Sequence, residues 1–137
     1  MESDMGGVPG TRKNPWTLKT PGGADEFVAW RDPAHNPPAI VVRIGSTETR
    51  YHLRCLNDLD EMLKARGDWM PLGGAAEKEP AAAGSVEAWA RSTKNPVSGW
   101  YGLTKGARGN FASYIPPIMQ ALTLAEVDET HLRMRAS

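Results

Sequence analysis

Ala39–Leu53 reads AIVVRIGSTETRYHL, two β-branched alternating runs, Ala39–Ile44 and Thr47–Leu53, separated by Gly45-Ser46. A two-residue connection with glycine first suits the tight turns whose twist matches the strands they join, so the stretch predicts a β-hairpin. Successive strand side chains alternate between faces, which puts Ile40, Val42 and Ile44 together on the first strand. On the second, Thr49, Tyr51 and Leu53 share one face and Glu48, Arg50 and His52 the other. One face is expected to pack and the other to be wet. The period then changes. Across Leu56–Arg66, Leu59, Met62 and Leu63 form an apolar stripe at helical spacing, with Asn57 or Asp58 placed to cap it and Gly67 at the stop position. Asp58, Asp60 and Glu61 fall near the positive end of that helix, and Lys64 and Arg66 near its negative end.

Outward from this unit the signals shorten. Met1–Lys13 is small, polar and Gly-rich and reads as a disordered lead-in. Trp16 and Leu18 alternate with polar neighbours as in a short strand, Pro21-Gly22-Gly23 turns the chain, and Glu26–Arg31 is a second extended candidate carrying Phe27 and Trp30. Asp32–Pro38 holds three prolines and reads as a connection. After Asp68-Trp69-Met70, the Gly, Ala, Pro, Glu and Lys of Pro71–Gly84 are too poor in large apolar residues for a core, and either a mobile loop or a linker between two subdomains is expected. Ser85 can cap a short helix reaching Arg91, with Val86 and Trp89 inward, although a strand fits nearly as well. Asn95–Gly102 is a loop. Leu103, Ala107, Phe111 and Tyr114 then recur at helical spacing, weakened by Gly106 and Gly109 at roughly 1 kcal/mol each. Pro116-Pro117 is expected to end that helix and open another, whose buried face is Ile118, Met119 and Leu122. Glu126–Asp128 and Leu132–Arg135 can close the chain as a strand pair.

Together these readings predict a single α+β domain over residues 14–137, with a small antiparallel sheet built on the 39–53 hairpin and packed against the 56–66 helix and short C-terminal helices. A chain of 137 residues can bury one core without staples. Its 16 Lys and Arg balance 16 Asp and Glu, which argues against a protein built to coat nucleic acid. Cys55 is alone, so an intramolecular disulfide and a cysteine-based zinc site are excluded, and a reducing cytoplasm fits best. No signal-peptide core and no run of membrane-spanning length is present.

The chemistry concentrates in Ala88–Ala125, which holds no Asp or Glu but carries Arg91, Lys94, Lys105 and Arg108 among Trp89, Trp100, Tyr101, Phe111 and Tyr114. Core packing alone explains the spacing of Trp89, Phe111 and Tyr114. The sharper reading leaves Trp100 and Tyr101 on a loop, with Lys105 and Arg108 near one face of the following turn. Gly99, Gly102, Gly106 and Gly109 would then let backbone N–H groups meet an anion. The spacing matches neither a Walker loop nor a dinucleotide fingerprint.

Other constellations are weaker. A His52, Cys55 and Asp58 thiol triad is opposed by geometry: His52 belongs to the exposed strand face, Cys55 to the strand–helix junction, and Asp58 to a helix start. His35 and His131 have no partner at metal-ligand spacing, and no metal or cofactor is implied. Asp58, Asp60 and Glu61 are too close for a hydrolase acid–base pair. Arg133 and Arg135 on a closing strand give Ser85–Arg135 a winged-helix flavour, but Glu126, Asp128 and Glu129 beside them make a poor phosphate-binding wing.

The segments Asn14-Pro15-Trp16-Thr17-Leu18-Lys19, Gly67-Asp68-Trp69-Met70, Asn95-Pro96-Val97-Ser98-Gly99-Trp100-Tyr101-Gly102-Leu103 and Tyr114-Ile115-Pro116-Pro117 resemble a family of short bacterial proteins of unknown function. The resemblance spans nearly everything after Lys13 and implies one domain, but no activity or site residue. From the residues themselves, the expected function is non-catalytic binding of an anionic ligand (a nucleotide, nucleic acid or phosphorylated small molecule) through Trp100, Tyr101, Lys105 and Arg108. The alternative is a protein–protein module or homodimer anchored on exposed aromatics. A small-molecule enzyme comes third.

Overall fold

A computed structural model describes residues 8–23 and 25–137. Four sequential antiparallel strands, β1 (Trp16–Lys19), β2 (Glu26–Asp32), β3 (Ala39–Ile44) and β4 (Thr47–His52), form the main sheet in chain order. Helix α1 (Cys55–Arg66) follows, then β5 (Met70–Pro71), the short α2 (Val86–Trp89), α3 (Phe111–Ala121), β6 (Ala125–Asp128) and β7 (Arg133–Ala136). The last two strands pair as expected, and β5 joins them as an unforeseen third in the order β5-β7-β6. This is an α+β fold.

The 39–53 hairpin has the expected register. Ile44 pairs with Thr47, leaving Gly45-Ser46 as the loop, and Gly45 takes a φ of 59° that glycine supplies without steric cost. Ile40 lies opposite Tyr51 and Val42 opposite Thr49. With Trp16, Phe27 and Ala29, the side chains of Ile40, Val42 and Tyr51 join Leu59 and Leu63 of α1 and Phe111, Ile115, Ile118 and Met119 of α3 in one core. Each large apolar side chain buried this way contributes about 1.5–3 kcal/mol. The outer face is less wet than expected. Trp30 pairs with Val41, which pairs with Arg50; both apolar members are buried, and the Arg43 guanidinium lies 5.1 Å over the Trp30 ring.

Helix α1 starts one residue before Leu56 and stops at Gly67, whose φ is 71° and whose N–H donates to the Leu63 carbonyl. Its expected cap is absent: Arg54 occupies the cap position without a side-chain bond, and Asp58 turns to other partners. The larger departure is α3. The apolar spacing from Leu103 predicts a helix ending at Pro116, yet the helix begins at Phe111 and runs through both prolines. Asn110, at φ 60°, breaks any helix arriving from Leu103, and asparagine tolerates that left-handed conformation. Pro116 and Pro117 remove two donors, but burial of Phe111, Ile115, Ile118 and Met119 on one face outweighs that loss.

Two segments expected to be loose make main-chain hydrogen bonds with the rest of the fold. Of the lead-in, residues 1–7 lie outside those described. Gly10 is buried and its carbonyl accepts from Arg31 N at 2.9 Å. In the stretch expected as a mobile loop, Leu72 is buried with its N–H on the Leu132 carbonyl, and the Ala75 carbonyl accepts from Asn110 N at 2.8 Å.

Candidate functional site

The basic–aromatic segment enters the fold along the open edge of β4. His52 N donates to the Tyr101 carbonyl at 2.9 Å and Leu103 N to the Arg50 carbonyl at 2.7 Å, so residues 101–103 add a short fifth lane to the sheet. An uncovered strand edge would be a template for aggregation, and this lane covers it. Further along, the Thr49 hydroxyl donates to the Ala107 carbonyl at 2.9 Å and the Tyr51 hydroxyl to the Gly109 carbonyl at 2.7 Å. Two of the glycines serve close approach. A Cβ on Gly102 would lie 2.5 Å from Arg108 Cα, and one on Gly109 would lie 2.3 Å from Glu77 N.

The loop that presents Trp100 is organised by Asn95, which is buried. Its Nδ2 donates to the carbonyls of Trp89 and Gly99 at 2.7 and 2.8 Å, and its Oδ1 accepts from Val97 N and Gly99 N. A short side chain that replaces backbone partners in this way fixes a turn. Trp100 emerges half-buried beside two guanidinium groups, with Arg91 and Arg108 each 4.5 Å from its ring centre. Both guanidinium groups are within cation–π reach of the indole.

Each arginine is held in turn by a carboxylate. Arg91 Nη2 meets Glu87 Oε2 at 2.9 Å, and the other oxygen of Glu87 accepts from Ala112 N in the first turn of α3 at 3.0 Å. Glu87 is 1% exposed. Arg91 also donates to the carbonyls of Glu79 and Ala75 at 2.9 and 3.0 Å. On the other side, Arg108 Nε and Nη2 grip Glu77 at 2.9 and 3.1 Å. Glu77 Oε1 additionally accepts from Arg108 N at 2.8 Å and Gly106 N at 3.1 Å. The Arg108 side chain and then its backbone N–H hold the Glu77 carboxyl at about 2, far below its ordinary value. The result is a stack running Glu87, Arg91, Trp100, Arg108, Glu77.

The four residues expected to contact ligand thus separate. Trp100 and Arg108 meet. Lys105 is exposed beside Gly106, with no ion-pair partner among the described residues. Tyr101 must be corrected: it is fully buried, stacked on Trp89 at 5.1 Å, and its hydroxyl donates to Asp58 Oδ2 at 2.9 Å. Pairing with β4 draws it inward. The acidic partners, Glu77 and Glu87, were not foreseen. Glu87 stands four residues before Arg91, a spacing that favours helical ion pairs and could have signalled the contact. Glu77 sits in a low-complexity stretch and carried no such signal.

The thiol triad does not assemble as a reactive site. Cys55 is fully buried, and that burial pushes its thiol well up. Asp58 is shared between the Tyr101 hydroxyl and Arg54 Nε, the latter at 2.8 Å. Burial, and secondarily the charge of Arg54, hold His52 below its ordinary value. Arg133 and Arg135 are paired with Asp128 and Glu126 at 3.0 and 2.9 Å and flank Trp69. Among the described residues no three metal-ligating side chains gather, and no helix is long and apolar enough to cross a membrane.

A family model covers residues 8–137, and the chain belongs to that family, one of unknown function (DUF6855). No curated protein and no solved structure matches it.

Proposed function

We propose that the protein is a non-catalytic binding domain that takes a phosphate or carboxylate group at the Trp100–Lys105–Arg108 face, the incoming anion exchanging with the Glu77 carboxylate. The observation that carries this reading is the set of four donors converging on Glu77 from Gly106 N, Arg108 N and the Arg108 guanidinium. Backbone N–H groups with a forked guanidinium recognise a planar or tetrahedral oxyanion whatever molecule carries it. Lys105 stands exposed at the rim to add a further charge. With two guanidinium groups already 4.5 Å from the ring centre of Trp100, a nucleobase must compete with them for the indole, which favours a compact anionic group over single-stranded nucleic acid. An interface anchored on exposed aromatics has less support, since every described Trp, Tyr and Phe is buried or half-buried. A cytoplasmic location fits a lone, buried, free cysteine.

The test is an NMR titration of isotope-labelled protein with inorganic pyrophosphate at low and moderate salt. Shifts at the Gly106 and Arg108 amides that weaken with salt, and that vanish in Arg108→Gln, are expected. Amides that stay still at millimolar pyrophosphate would overturn the reading.

A further inference from the structure

The fold covers one edge of its main sheet and leaves the other open. Residues 101–103 lie along β4, whereas among the described residues no strand lies beyond β1. The register tells which groups the open edge presents. Thr20 N donates to the Asp25 carbonyl at 2.9 Å, in step with the pairing of Leu18 to Phe27 and of Trp16 to Ala29. Alternate residues of an antiparallel ladder bond to the same neighbour, so the main chains of Thr17 and Lys19 point away from β2. Both residues are exposed.

The three-stranded sheet brings a second open edge to the same place. Ser137 N donates to the Leu124 carbonyl at 3.1 Å, so by the same alternation Glu126 and Asp128 bond to β7 and the main chain of Val127 points outward. A side chain meets it there: Gln120 Oε1 accepts from Val127 N at 3.0 Å. The Val127 carbonyl has no such partner among the described residues. One cavity of about 240 Å³ is lined by Leu18 and Lys19 from β1, by Val127 and Glu129 from the other sheet, and by Pro117 and Gln120 from α3. Gly22 N donates to Glu129 Oε1 at 3.1 Å, which ties the two walls together at one end.

Donors and acceptors that alternate along a strand edge are the complement of an extended main chain, which carries the same groups at the same spacing. A helix has spent its own on internal bonds, and a bare anion has no donor for the carbonyls. Lys19 and Glu129 bring opposite charges to the cavity, so a segment without net charge fits it best. A second copy is disfavoured, because β1 is only 4 residues long and two such strands bury far less than a stable dimer needs. The geometry points to an extended, uncharged segment of a partner protein, which adds to β1 as a further strand with its far side toward Val127. This surface is separate from the Glu77 nest and does not depend on it.

The acetylated and amidated peptide Thr-Val-Thr-Val-Thr, titrated into the isotope-labelled full chain and followed by NMR, tests the assignment. At millimolar concentration it should shift the Thr17, Lys19 and Val127 amides. An analogue N-methylated at every residue keeps the side chains but loses the donors, and should bind at least about tenfold more weakly. Lys19→Pro removes an outward N–H and leaves the ladder to β2 whole, so it should abolish the shift at Thr17 while the melting curve stays in place. A second variant acts without touching the strand: Ala121→Arg extends an exposed residue of the cavity wall and should weaken binding at least about tenfold. Still amides at Thr17 and Lys19, equal binding of the methylated analogue, or shifts that survive both variants would overturn the inference. So would Thr17 and Lys19 signals that move with protein concentration before any peptide is added, which would assign the edge to a second copy.

Discussion

Replacing Gly109 by alanine adds one methyl group at the point where two backbones meet. The new Cβ would lie 2.3 Å from Glu77 N, 2.6 Å from Ala76 C and 2.8 Å from Ala75 O, all main-chain atoms with no flexible side chain to swing away. To reach ordinary contact at 3.4 Å, residues 75–77 must retreat by about 1 Å. The same movement stretches the bond from Asn110 N to the Ala75 carbonyl, now 2.8 Å. Overpacking costs about 1–3 kcal/mol, and a wholly backbone clash belongs in the upper half of that range. For a domain of this size roughly 2–3 kcal/mol lowers Tm by about 6–15 °C. Gly106→Ala is the control. Its added Cβ meets nothing within 4 Å, but its φ of +92° is strained for alanine, so it should cost about 1 kcal/mol. Melting curves followed by circular dichroism decide the matter. Gly109→Ala melting within a degree of the wild type, or falling less than Gly106→Ala, would refute the close-approach reasoning.

Acid unfolding should depend on Glu77. Its folded pKa, at about 2, lies below the ordinary 4.5, so its contribution to stability is complete above pH 4.5 and is lost as the pH falls toward 2. Glu77→Gln should flatten the dependence of Tm on pH across that window and leave the slope above it unchanged. Tyr101→Phe removes a buried hydroxyl from Asp58 Oδ2, and chemical denaturation should show a loss of about 1–3 kcal/mol. Glu87→Ala leaves Arg91 without its carboxylate and Ala112 N without an acceptor, and the same assay should show about 3–5 kcal/mol.

Local physics made half of this fold legible. The 39–53 hairpin and the 56–66 helix carry their own turn and stop residues, Gly45 and Gly67, and both glycines have the positive φ their positions require. What misled was non-local. Tyr101 reads as a loop aromatic until β4, far earlier in the chain, offers an edge where the Tyr101 carbonyl accepts from His52 N and Gly102 pairs with Tyr51. Leu103, Ala107, Phe111 and Tyr114 hold helical spacing, yet the first two lie in a segment tied by Thr49 and Glu77, which outcompete the marginal propensity of a Gly-rich run. The grouping of Gly106 and Arg108 was readable, because glycines beside cations stand together in the sequence. The carboxylate they hold was not readable, because Glu77 is one acidic residue in a low-complexity stretch and only folding brings it across 31 positions to Arg108.

The most direct measurement compares pyrophosphate binding by the wild type and Glu77→Gln, using calorimetry at low salt. If Glu77 is the resident occupant of an anion site, removing its charge frees the nest, and affinity should rise by about tenfold or more, about 1.4 kcal/mol. Affinity that is unchanged or lower in Glu77→Gln, with both proteins folded, would contradict it and leave the Glu77–Arg108 pair a purely structural clasp.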